Sequence, residues 1–91
     1  MSGPEEATKT VYVRFFASAR AAAGVDNETL RLPPSASVDD AARELAELHP
    51  EALPRVLKAA SFLVNGVAAR ETSARLPEAA ELDILPPFAG G

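Results

Sequence analysis

The last six residues, Pro86-Pro87-Phe88-Ala89-Gly90-Gly91, form the one stretch of this 91-residue chain whose residue types point to chemistry. They follow an apolar run, Leu82-Asp83-Ile84-Leu85. Proline cannot continue a central strand, so Pro86-Pro87 ends the sheet and sends the chain out stiffly extended. Gly90 and Gly91 have no Cβ, so a partner's backbone or a nucleotide can approach closely. A free carboxylate on Gly91 then stands at the end of a handle that reaches about 20 Å when extended. At neutral pH a carboxylate is a poor electrophile. Attack on the α-phosphorus of ATP would convert it to an acyl-adenylate, and a sulfur nucleophile could then displace AMP. The product is a thiocarboxylate or thioester at Gly91. On this reading Gly91 is the reactive group, and Pro87, Phe88, Ala89 and Gly90 are the segment a partner grips. The bland alternative is a chance Gly-Gly terminus with no role.

Composition narrows the possibilities. Ninety-one residues make one domain with a modest core. Hydrophobic content is 47%, enough for a globular fold, with a core of mostly Leu, Val and Ala because aromatics are few. Net charge is −4 and only Lys9 and Lys58 are lysines, so no basic patch exists to hold nucleic acid. The acid excess suits a protein partner with a basic docking surface. No apolar run approaches the length of a membrane span, and Met1 to Glu6 lacks the features of a signal peptide. The expected location is cytoplasmic. Cysteine is absent, which excludes disulfides, thiolate metal sites and a thiol nucleophile. Any sulfur must come from elsewhere, and activation must be done by partners. The chain offers no metal site and no cofactor of its own. His49, beside Pro50 at an expected helix end, reads as a structural or surface residue suited to the helix dipole.

The elements that must hold the tail follow in order. Residues 1–9 read as a disordered leader, 10–85 as the folded domain and 86–91 as the extended functional tail. Thr10 to Phe16 is rich in β-branched and aromatic residues and reads as a strand with Val11, Val13 and Phe15 on one face. Ala17 to Gly24 has high helix propensity, with Gly24 at the C-terminal cap position. Glu28 to Leu32 alternates as a second strand, antiparallel to the first around the helical insert, and Pro33-Pro34 ends it. Ser37 is the expected N-cap of the main helix, with Asp39 and Asp40 in its first turn. Val38, Ala41, Ala42, Leu45 and Leu48 form its apolar stripe, while Arg43, Glu44 and Glu47 face solvent. A short second helix spans 51–58, with Leu53, Val56 and Leu57 inward. Asn65-Gly66 between two apolar runs predicts a type I′ hairpin. Glu81 to Leu85 is the last strand, inside or beside the sheet. The fold class is α+β: a mixed four- to five-stranded sheet packed on one main helix.

Three stretches resemble the MoaD/ThiS family of sulfur carriers, in its molybdopterin synthase branch. They are Val13-Arg14-Phe15-Phe16-Ala17-Ser18-Ala19-Arg20-Ala21-Ala22-Ala23-Gly24, the Leu63-Val64-Asn65-Gly66 turn, and Leu85-Pro86-Pro87-Phe88-Ala89-Gly90-Gly91. The resemblance implies a ubiquitin-like β-grasp fold with a flexible Gly-Gly tail. It implies adenylation of Gly91 by an enzyme of the ubiquitin-activating type, which uses the ATP, and sulfuration by a sulfurtransferase or other donor. The tail would then enter the large subunit of molybdopterin synthase, with two carriers per large-subunit dimer, to supply dithiolene sulfur. Docking would use an apolar patch on the sheet, with Phe88 as an aromatic anchor. The same tail would serve a carrier for thiazole, cysteine or a sulfur-containing natural product, or a ubiquitin-like modifier or interaction module. Two positions depart from the branch. Ala79-Ala80 stands where Gly-Asp is common before the last strand. Phe88 stands where a smaller Val is frequent, either as a bigger anchor or as the mark of a different partner.

Overall fold

The computed structural model describes residues 7–87. Its elements are β1 (Lys9–Phe15), α1 (Ser18–Ala23), β2 (Asn27–Leu32), α2 (Val38–Leu48), α3 (Leu53–Ala59), β3 (Ser61–Val64), β4 (Val67–Ala68) and β5 (Ala80–Leu85). The strands make one mixed sheet in the order β2-β1-β5-β3-β4. β1 and β5 run parallel at its centre, with Val13 level with Leu82 and Arg14 level with Asp83. The other pairings are antiparallel. This is the expected α+β architecture, with five strands and the last of them central.

Alternation along the central strands sorts their side chains. Val11, Val13 and Phe15 of β1 and Ala80, Leu82 and Ile84 of β5 are buried on one face. α2 covers that face with Val38, Ala41 and Leu45, and α3 adds Leu53 and Leu57. Leu48 does not join the stripe and stays 47% exposed. Seven residues beyond the buried Ala41 it keeps nearly the same angle but lies about two turns further along, at the end of α2 beyond the covered stretch. α2 starts as its sequence demands. The Ser37 hydroxyl accepts from the Asp40 N–H at 3.2 Å, and the Asp40 carboxylate accepts from the Ser37 N–H at 2.9 Å. Those bonds from Ser37, the backbone one foremost, hold the Asp40 carboxyl below its ordinary value of 3.8.

The predicted hairpin is present. Asn65 and Gly66 both take positive φ, 51° and 82°, and the Val64–Val67 pair closes the turn. Asn65 also locks the hairpin onto β5. Its N–H donates to the Glu81 carbonyl, and its Oδ1 accepts from the Glu81 N–H, both at 2.8 Å.

Two boundaries differ from expectation. β4 is only two residues long, Val67–Ala68, although the Ala69 N–H still donates to the Phe62 carbonyl of β3 at 2.9 Å. β1 begins at Lys9, a residue the sequence places in the leader. Its side chain is buried, and its Nζ donates to the carbonyls of Pro34 and Ala36 at 2.8 Å and of Leu76 at 2.5 Å. Nothing local marks a lysine as interior. Carbonyls 25 to 67 residues away make it so. Burial, more than any neighbouring charge, lowers its pKa. No helix of the described residues is long and apolar enough to cross a membrane.

Candidate functional site

β5 delivers the tail. It is hydrogen-bonded on both sides, to β1 and to β3, so its end is among the best fixed points of the fold. Leu85 is followed by Pro86, half-buried, and Pro87, exposed. Of the predicted site residues Pro87 is described; Phe88, Ala89, Gly90 and Gly91 lie outside the described residues. The root of the tail is therefore placed where the sequence puts it, just past the last strand.

An apolar groove of about 550 Å³ opens at this root. Phe16, Leu63, Leu85, Pro86 and Pro87 form most of its wall, and Ala17, Ser18 and Ser61 complete it. The residues converge from β1, β3 and β5 because Ser61 pairs with Leu85 and Phe15 pairs with Ile84. Phe16 extends the ladder, its N–H donating to the Ile84 carbonyl at 3.2 Å. Odd- and even-numbered residues of β1 take opposite faces, so Tyr12, Arg14 and Phe16 point away from the core. Tyr12 is 47% and Phe16 38% exposed.

The wall at Ala17 is strained. Ala17 has φ 51° and ψ −125°, and the Ala19 N–H donates to the Phe16 carbonyl at 2.9 Å, closing a type II′ turn. Glycine is the usual residue there, since a Cβ makes that conformation costly. Ala79, at the position where the resemblance implies glycine, likewise holds a positive φ of 60°. Alanine holds that left-handed backbone at the expense of local strain.

Charged groups occupy the middle of the outer face. Arg14 donates to Asp83 through Nε at 2.8 Å and Nη2 at 3.0 Å. The bond to Asp83 is the main reason its pKa is raised. Its guanidinium also lies 5.6 Å from the Phe16 ring centre. His49 is elsewhere and structural in its contacts. Its Nε2 lies 2.6 Å from Glu28 Oε1, and its ring meets Phe15 edge to face. Among the described residues no cluster of His, Asp or Glu could hold a metal ion.

Sequence reasoning singled out the tail and did not join Phe16, Leu63 and Leu85 into a single surface. Alternation shows that Phe16 and Leu85 leave the core side. Only the adjacency of β1, β5 and β3 brings them together.

Residues 13–91 match the profile of the ThiS family. The chain is 33% identical over 82 residues to the molybdopterin synthase sulfur carrier subunit of Chlamydomonas reinhardtii, covering 89% of this chain and 98% of that protein. A putative molybdopterin converting factor, subunit 1, from Pyrococcus furiosus superposes with a TM-score of 0.75 at 26% identity, over 88% of this chain and 99% of the other. The small archaeal modifier protein 1 of Methanosarcina acetivorans superposes with a TM-score of 0.79 at 27% identity, over 94% and 100%.

Proposed function

The chain belongs to the ThiS family, and from that premise we propose that it is a sulfur carrier whose Gly91 carboxylate is adenylated and converted to a thiocarboxylate. The observation that carries this reading is the central β5 strand, which ends in Pro86-Pro87 beside an open apolar groove. A rigid platform, a stiff exit and an apolar groove beside it are what a presented terminus requires.

The chemistry is divided between partners. An adenylating enzyme of the ubiquitin-activating type brings the Gly91 carboxylate to the α-phosphorus of ATP, and pyrophosphate leaves. Hydrosulfide then attacks the acyl carbon and AMP leaves, which gives the thiocarboxylate directly. Where the donor is a protein persulfide, its terminal sulfur attacks, AMP leaves, and a thiol reductant cleaves the S–S bond of the resulting acyl disulfide to release the thiocarboxylate. This chain contributes orientation: the groove and outer sheet face seat the partner, and Gly90 and Gly91 let its backbone close around the tail. The acceptor we favour is the large subunit of molybdopterin synthase, by similarity to the Chlamydomonas reinhardtii subunit. Phe88 serves as the aromatic anchor in that subunit's channel.

Intact-mass analysis tests the reading. With ATP, a sulfur source and a cognate activating enzyme, the chain should gain the mass difference between sulfur and oxygen. No gain, or full function after removal of Gly91, refutes it. Gly90→Val should block adenylation, since a β-branched side chain obstructs the tail. Phe88→Ala should weaken partner docking and leave thermal stability unchanged.

A second reading, a ubiquitin-like modifier, is favoured by the similarity to the small archaeal modifier protein. It predicts an isopeptide bond from Gly91 to a lysine of another protein. Recovery of the chain in covalent conjugates, with no dithiolene product when thiocarboxylated chain meets a synthase large subunit and its precursor, would favour it over the carrier.

A further inference from the structure

The polar centre of the outer face is not needed to present a tail, and its geometry constrains what can cover that face. The Arg14 guanidinium closes over Asp83 with two bonds, at 2.8 and 3.0 Å. The Asp83 side chain is 6% exposed, while that of Arg14 is 50% exposed. Solvent therefore meets the outer edge of a cation whose counter-ion lies beneath it. Of the five guanidinium N–H groups of Arg14, two are engaged by Asp83, and no other acceptor among the described residues takes one of the remaining three. Glu81 Oε1, at 3.9 Å from Nη2, is too far to accept one. The Phe16 ring, 5.6 Å from the guanidinium carbon, joins this centre to the groove at the tail root.

In the free chain, water satisfies the remaining donors. A partner that covers the face removes that water, and donors on a charged group left without acceptors weaken binding by about tenfold to a hundredfold. Arg14 must then be capped by oxygen. Among the described residues, both side chains that pair with Arg14, Asp83 and Glu81, are anions. A further carboxylate would meet net repulsion, whereas a neutral carbonyl would not.

Resting on the docking described under the proposed function, we propose that the Arg14–Asp83 pair is a specificity filter for the partner. It admits a protein surface that seats apolar side chains in the groove and sets a backbone or amide carbonyl over Arg14. It rejects a surface that covers the face with apolar side chains alone, even one that fits the groove.

Two probes test this by calorimetric affinity: the molybdopterin synthase large subunit of the same organism, and one from an organism whose own carrier has apolar residues at both positions. Wild type should prefer the first. Arg14→Leu should weaken that binding about tenfold or more, because Asp83 is then buried without its partner. Arg14→Leu/Asp83→Leu should leave the first complex about tenfold or more weaker than wild type, because the partner's carbonyl then faces apolar side chains without a donor, and should bind the second about tenfold better than wild type. Arg14→Lys keeps the charge without the fork. It should also weaken the first complex, and it serves if the leucine variants do not fold. An unchanged preference in the double variant, or unchanged affinity in Arg14→Lys, overturns the filter. Phe16→Ala should weaken both complexes. If it does so while Arg14→Leu/Asp83→Leu keeps the wild-type preference, the carrier reading stands and the filter falls. If it weakens neither, the docking face and the filter fall together.

Discussion

The parallel pair β1 and β5 begins and ends in opposite ways. Where the strands begin, Lys9 is buried, and its ammonium joins Pro34, Ala36 and Leu76 into one closed end. Where they finish, Phe16, Leu63 and Leu85 stay partly exposed around a groove, and the chain leaves through Pro86-Pro87. One end satisfies its polar groups with protein; the other leaves apolar surface for something else to cover. Closing one end allows the other to stay open. A domain this small holds only a few kcal/mol in reserve, so an unfilled groove at one end is tolerable when the opposite end is tightly joined.

Substitutions can break this contrast, and the largest effect belongs to the closed end. Lys9→Met should lower stability by about 3 kcal/mol, because it strips buried carbonyls of their donor. Urea denaturation measures it, and a loss below about 1 kcal/mol would mean that water reaches those carbonyls. At the open end, Ala17→Gly should raise stability by about 1.5 kcal/mol by relieving the type II′ turn. An unchanged unfolding midpoint would show that the turn relaxes around alanine. Phe16→Ala should cost only about 1 kcal/mol of stability, since its ring is already partly wet. A loss like that at Lys9 would make Phe16 a core residue and abolish the contrast. Ala79→Gly, at the start of β5, should stabilise by just under about 1 kcal/mol, readable as a rise in Tm.

The smallest effect is a pH dependence. The folded Asp40 carboxyl titrates below its ordinary value of 3.8. Its contribution is therefore complete above that value and is lost as pH falls through the lower folded one. Stability between about pH 5 and pH 2 should fall less steeply in Asp40→Asn than in wild type. Parallel slopes would mean that the capping box is not the titrating element.

Local signals in the chain were strong where backbone chemistry leaves one choice. Asn65-Gly66 permits the paired positive φ of a type I′ turn. Ser37 and Asp40 fix the start of α2. Alternation in β1 and β5 separates core from outer face, and two prolines after Leu85 end the sheet. Leu48 shows the limit of periodicity, because the stripe marks a face of the helix and not how far the sheet extends beneath it.

The sequence by itself determined the hairpin, the helix start, the two-faced central strands and the exit of the tail, because each depends on residues within a few positions of one another. It also held the resemblance that led to the ThiS family. Tertiary structure alone decided that Lys9 belongs to the interior, that Arg14 closes over Asp83 and that Phe16, Leu63 and Leu85 share one groove. Those contacts join residues between 22 and 69 positions apart. Their partners are chosen by the strand order β2-β1-β5-β3-β4, which no local pattern encodes.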